Sequence, residues 1–193
     1  MQRYISTIFL LIGVGYLSQG QTLQPFQLSD ATSGNQMSLN SFQQAKALVI
    51  VFTSNYCPYS KLYDSRLKEW TEKYNSANLP FIFINPNSKY HPEYESLEAM
   101  AERAEEKGYS VPYLSDPDQM VSNNLGATRT PEVFVLKKSG DQFRVVYRGA
   151  LDDNPQRADD VTQAYLAQVL EAIVSGKPTP ANQRPTGCMI KKG

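Results

Sequence analysis

The chain is 193 residues long, with 19 Lys and Arg balanced against 19 Asp and Glu, two cysteines and one histidine. That length suits one domain with a proper core and not comfortably two, and the charge balance gives no electrostatic reason for a nucleic-acid or anionic-membrane partner. The single histidine, His91, excludes His-rich metal sites, and two cysteines cannot alone build a tetrahedral thiolate site. A Ser-His-Asp hydrolase would have to use His91, which lies in a polar, proline-containing loop and speaks against that chemistry.

Residues 1–20 are expected to form a secretory signal peptide. Arg3 supplies a positive start, residues 8–17 are mostly apolar, and the small and polar Ser18, Gln19 and Gly20 follow. The apolar run is too short to span a bilayer comfortably; a buried N-terminal strand or helix is the alternative. Once the leader is cleaved no membrane anchor is expected, and the protein belongs in the periplasm or outside the cell, where disulfides persist. One domain then spans residues 21–178, and a tail over residues 179–193 carries Cys188.

Apolar residues alternate through Phe26, Leu28, Met37 and Leu39 around the polar stretch 30–35, which predicts a β-hairpin. Residues 47–52 are apolar and rich in β-branched residues, a buried strand. The period then changes: Tyr59, Tyr63, Leu67, Trp70 and Tyr74 recur as one face of a helix. Residues 79–84 predict a second buried strand, closed by Asn85, Pro86 and Asn87. Residues 92–108 predict a helix with the stripe Tyr94, Leu97, Ala101 and Ala104, its charge-rich opposite face solvated and Gly108 ending it. A short strand over 111–114 and a helix over 119–125, capped by Gly126, come next. Residues 132–136 and the alternating Phe143, Val145 and Tyr147 predict a second hairpin about a turn at Ser139, Gly140 and Asp141. Asp160 is placed to cap a last helix with the stripe Val161, Tyr165, Val169 and Ile173, ended by Gly176 and Pro178. Such an order predicts a mixed central sheet covered by helices.

Cys57 falls where the first buried strand gives way to a helix, followed by Pro58, which suits a first helical turn. Free amides and the positive end of the helix dipole there favour an anion, so the thiol is expected to ionise readily and act as a nucleophile. The competing reading is a small buried hydrophobe, but the residue lies beyond the strand in a polar, aromatic turn. Tyr56, Tyr59 and Trp70 read as packing residues.

The motif Cys57-Pro58-Tyr59-Ser60 on a helix, with Thr130-Pro131 entering a later strand, resembles the thioredoxin superfamily. The N-terminal hairpin and the extra helix are similar to its redoxin branch, which includes the AhpC/TSA and peroxiredoxin-like proteins. The stretches 85–87, 126–131, 147–154 and 187–191 resemble exported peroxiredoxin-like proteins of bacteria. The resemblance covers nearly all of the mature chain. It implies an α/β, thioredoxin-like fold: a mixed central β-sheet flanked by helices, with an N-terminal β-hairpin and an inserted helix. Cys57 corresponds to the attacking cysteine, Pro131 to a cis-proline facing it, and the Thr130 backbone to the place that receives an extended substrate. Two departures stand out. Position 60 is serine, so the usual second cysteine is absent, although Ser60 can hydrogen-bond a Cys57 thiolate. Thr53 precedes Cys57 by four positions instead of three and no proline lies over residues 49–52, which counts against efficient peroxide reduction.

Cys188 has three open roles: a structural disulfide with Cys57, a resolving thiol on a mobile tail, or no contact with Cys57 at all. Closing the long loop between them would stabilise the fold by roughly 5 kcal/mol in the chain-entropy treatment. Arg129 either lies near the site and favours the thiolate or makes a surface salt bridge. The expected activity is thiol–disulfide exchange on protein or small-molecule disulfides, with an external thiol reductant, chemistry that requires neither a metal nor an organic cofactor. The alternatives are a peroxidase acting on peroxides and a redox-inactive thioredoxin-fold binding module.

Overall fold

The computed structural model describes residues 20–192; the signal-peptide expectation, apart from Gly20, lies outside the described residues. Among the described residues seven strands form one mixed sheet, in the order β2 (Gln36–Ser38), β1 (Gln27–Asp30), β5 (Tyr113–Ser115), β4 (Phe81–Asn85), β3 (Ala47–Phe52), β7 (Glu132–Ser139), β8 (Gln142–Gly149). At its centre β3 (Ala47–Phe52) runs parallel to β4 (Phe81–Asn85) and antiparallel to β7 (Glu132–Ser139), with Val49 opposite both Phe81 and Val135. All six β3 residues are buried, as expected of a strand covered on both faces. The hairpin of β1 (Gln27–Asp30) and β2 (Gln36–Ser38) joins the sheet through β5 (Tyr113–Ser115), and β8 (Gln142–Gly149) closes the other side against β7. The mixed sheet, both hairpins and the inserted helical segment therefore stand as the sequence implies.

The alternation along β3 divides the core. Leu48, Ile50 and Phe52 face a layer built from the N-terminal hairpin, α5 (Met120–Leu125) and Ile190. Val49 and Val51 face Leu67 of α2 (Asp64–Tyr74), Met100 of α4 (Leu97–Lys107), and Leu166, Val169 and Leu170 of α6 (Tyr165–Ser175). Each such side chain contributes about 1.5–3 kcal/mol by leaving water.

Three predicted helices differ in detail. The helix at Tyr59 is two pieces, α1 (Pro58–Leu62) and α2, joined where the Tyr63 amide bonds the Ser60 carbonyl at 3.1 Å. The face through Tyr63, Leu67, Trp70 and Tyr74 does pack on the core. The helix over 92–108 is also two: α3 (Pro92–Glu95), then an extended Ser96, then α4 capped by the left-handed Gly108. Ser96 takes the Ala99 amide on its hydroxyl, an N-cap that restarts the helix in a new phase. The expected stripe therefore holds at Ala104 and fails at its start: Tyr94 and Leu97 are exposed, and Glu95, Met100 and Arg103 are buried instead. Nor does Asp160 cap the last helix. Asp153 captures Thr162 through its amide and hydroxyl, which also holds the Asp153 carboxyl below its ordinary range, and the helix begins only at Tyr165.

The tail is docked. Its Gln183 amide bonds the Arg148 carbonyl of β8 at 3.3 Å, the Asn182 side chain accepts the Arg148 amide at 2.9 Å, and Thr179 donates to the Val146 carbonyl. Gly149 has φ +135°, and a Cβ there would collide with the Gln183 backbone.

Candidate active site

Beyond Phe52 the chain leaves the sheet through the buried Thr53, Ser54 and Asn55, exposes Tyr56, and reaches Cys57 as the extended residue capping α1. Pro58 occupies the first turn, where its missing N–H goes unneeded. The loop has few backbone partners of its own, so side chains from the inserted segment hold it. Glu95, fully buried, accepts the Asn55 amide at 2.7 Å, the Tyr56 amide at 3.1 Å, the Asn85 side-chain amide at 2.7 Å and the Ser54 hydroxyl. Arg103 donates to the Ser54 carbonyl at 2.7 Å and to Asp64 at 2.6 Å. Asp64 also accepts the Tyr109 hydroxyl, and Tyr113 donates to the Asn55 side chain. Burial pushes both of these phenols up, so they stay protonated donors.

The two cysteines are joined: Cys57 and Cys188 form a disulfide with Cα atoms 5.9 Å apart. Cys188 begins β9 (Cys188–Met189), which pairs antiparallel with β6 (Arg129–Thr130) so that Cys188 lies opposite Thr130. The Thr130–Pro131 bond is cis. The Cys57 sulfur lies 3.0 Å from the Thr130 carbonyl oxygen; with the disulfide closed it has no proton to give, so this is a close contact and not a hydrogen bond. Thus Cys57, Cys188, Thr130 and Pro131 converge. Ser60 is buried on α1 and its hydroxyl has no hydrogen-bond partner among the described residues, as is true of the Thr130 hydroxyl. Arg129 donates to the Gly187 carbonyl at 2.7 Å and so holds the tail.

A cavity of about 480 Å³ opens beside the disulfide, walled by Tyr56, Pro58, His91, Met189 and Ile190, with Ser54 and Glu95 also on its lining. Tyr56, expected to pack, is half exposed and stacks on His91 at 4.4 Å between ring centres. Trp70 does pack against the core. Glu95 and Arg103 were hidden to sequence reasoning on the face assigned to solvent; the available signal was Ser96, a capping residue inside an apolar-periodic run.

The sequence matches the redoxin family over residues 18–166. The chain belongs to the redoxin family, a branch of the thioredoxin superfamily. The match stops short of the tail, so the second cysteine of this redoxin lies outside the matched region. An uncharacterised conserved protein from Geobacillus kaustophilus is 34% identical with a TM-score of 0.81, over 91% of this chain and 92% of that one. A hypothetical protein from Sinorhizobium meliloti is likewise 34% identical, with a TM-score of 0.80 over 92% and 96% of the two chains. Peroxidoxin BcpB from Mycobacterium tuberculosis shares the fold at 17% identity, with a TM-score of 0.53 over 82% of this chain and 92% of that one. No curated protein matches the sequence.

Proposed function

We propose that this redoxin is an exported thiol–disulfide oxidoreductase, with Cys57 as attacking thiol and Cys188 as its resolving partner. The observation that carries the reading is the bond between Cys57 and Cys188, which supplies from the tail the second thiol that Ser60 cannot. A redox-inactive module, argued from Ser60, is disfavoured by the same bond. Export follows from the leader pattern and suits a persistent disulfide.

In the reduced protein the Cys57 thiolate attacks one sulfur of a substrate disulfide. A Cys57–substrate bond forms, the substrate bond breaks, and the other substrate sulfur leaves as a thiolate. The Cys188 thiolate then attacks the Cys57 sulfur, closing Cys57–Cys188 and releasing the second substrate thiol. Two electrons pass to the substrate, and an external thiol reductant restores the pair. The start of α1, which Cys57 caps, favours the Cys57 thiolate, and the Ser60 hydroxyl is the donor that the resemblance assigns to it.

A peroxidase would use the same pair: Cys57 takes an oxygen atom from a peroxide to become a sulfenic acid, and Cys188 displaces water to form the disulfide. The small, mostly apolar cavity beside Cys57 is the feature in its favour. Turnover of a protein disulfide and of hydrogen peroxide, each with an added dithiol reductant, decides between them. Disulfide reduction that falls at least about 100-fold in Cys57→Ser, with a mixed disulfide trapped by mass in Cys188→Ser, is the expected result. Saturable peroxide consumption lost in Cys57→Ser, without disulfide reduction, would overturn it.

A further inference from the structure

The edge formed by Thr130 beside the cis-proline is already occupied, and its occupant is the chain's own tail. Cys188 sits opposite Thr130 in an antiparallel pair, with its sulfur on Cys57. The tail thus lies as an extended cysteine-bearing strand would lie in a mixed disulfide with this site. Resting on the exchange reading above, we infer that the tail is a built-in copy of the strand the enzyme takes from its protein partners. The partner segment is an extended peptide of the pattern Gly-Cys-any-aliphatic, captured by strand addition to the Arg129–Thr130 edge.

Each position of the pattern has a physical cause. A Cβ on Gly187 would stand 2.7 Å from the Thr130 carbonyl carbon and closer still to its oxygen, so the residue before the cysteine has no room for a side chain. Met189 is 70% exposed, so the residue after the cysteine is free. Ile190 is 5% exposed and joins the core layer that holds Phe52, Val121 and Leu125, so the next position must be aliphatic. Backbone contacts fix the register without reading side chains: the Ile190 amide donates to the Thr128 carbonyl at 3.0 Å, the Lys191 amide to the Asn87 side chain at 3.0 Å, and Arg129 to the Gly187 carbonyl. Tail and partner exclude each other on this edge. Resolution is therefore a strand replacement, in which the returning tail brings the Cys188 thiolate to the Cys57 sulfur and expels the partner's thiol.

The test uses the full chain carrying Cys188→Ser, reduced, and a peptide copying residues 184–192 whose cysteine is held as a mixed disulfide with thionitrobenzoate. Attack of Cys57 on the peptide sulfur breaks that bond and releases coloured thionitrobenzoate, which reports the rate. Peptides with Gly187→Ala or Ile190→Asp should react at least about tenfold more slowly, and one with Met189→Ala at the parent rate. Loosening the protein's own tail by adding Ile190→Asp to Cys188→Ser should speed the parent peptide by at least about tenfold. Equal rates for all peptides, alongside ready reaction with dithiobis(nitrobenzoate), would overturn this inference and leave the exchange reading standing. Failure of both peptides and the small disulfide to react would overturn the exchange reading and this inference together.

Discussion

Glu95 receives the Ser54 hydroxyl, two backbone amides and the Asn85 side chain on its two oxygens, all away from water. A carboxylate suits that place because every neighbour is a donor. Glutamine keeps the shape but turns one acceptor into a donor facing donors, and buried polar groups lose their partners. Glu95→Gln should therefore cost about 3 kcal/mol, read as a lower urea midpoint at unchanged slope. A loss under about 0.5 kcal/mol would mean that the loop before Cys57 is held by other contacts. Arg103 works from the opposite side, donating to the Ser54 carbonyl, and its charge is favoured there: burial acts against it, but its neighbours, the Asp64 carboxylate at 2.6 Å among them, outweigh that. The loop before Cys57 is gripped by one acid and one base that sequence periodicity alone assigns to the surface.

At the scale of elements, the strands and the place of Cys57 at a strand-to-helix junction were legible because apolar alternation and the change of period are local signals. Thr130 and Pro131 were legible from the resemblance, and Cys188 from there being one other cysteine to pair with. The helix phases were not, because single side chains reset them: Ser96 restarts α4, and Asp153 delays α6 by holding Thr162. The tail was legible in composition only. Its polar, proline-containing sequence reads as loose, yet backbone bonds to β8 and β6 and one buried side chain, Ile190, dock it. That docking holds Cys188 against Cys57 alongside the disulfide. Truncating the anchor in Ile190→Ala should loosen it by about 2 kcal/mol, making the disulfide easier to reduce by about 40 mV in glutathione redox titration. An unchanged potential would show that the anchor does not position the second thiol.

For the whole molecule, Tyr63, Tyr109, Tyr113 and Tyr147 are each pushed above the ordinary phenol value, in every case chiefly by burial. The folded state keeps these protons when the unfolded chain has begun to release them, so stability is retained below about pH 10 and falls as pH rises beyond it. Each group adds a slope of about 1.4 kcal/mol per pH unit. Urea midpoints should drop steeply above pH 10, and Tyr109→Phe should make that drop shallower; an identical slope would place Tyr109 outside the effect. Another whole-molecule property follows from the edge of the sheet. The outer side of β8 is covered by the chain itself, with Gln21 and Leu23 bonded near Phe143 and Val145, and Asn182 and Gln183 bonded to Arg148. An eight-residue edge strand left bare is a template for joining sheets between molecules. The segment that carries Cys188 thus also helps to keep one molecule from polymerising with the next, and a change that undocks it from β8 bears on solubility as well as on the disulfide.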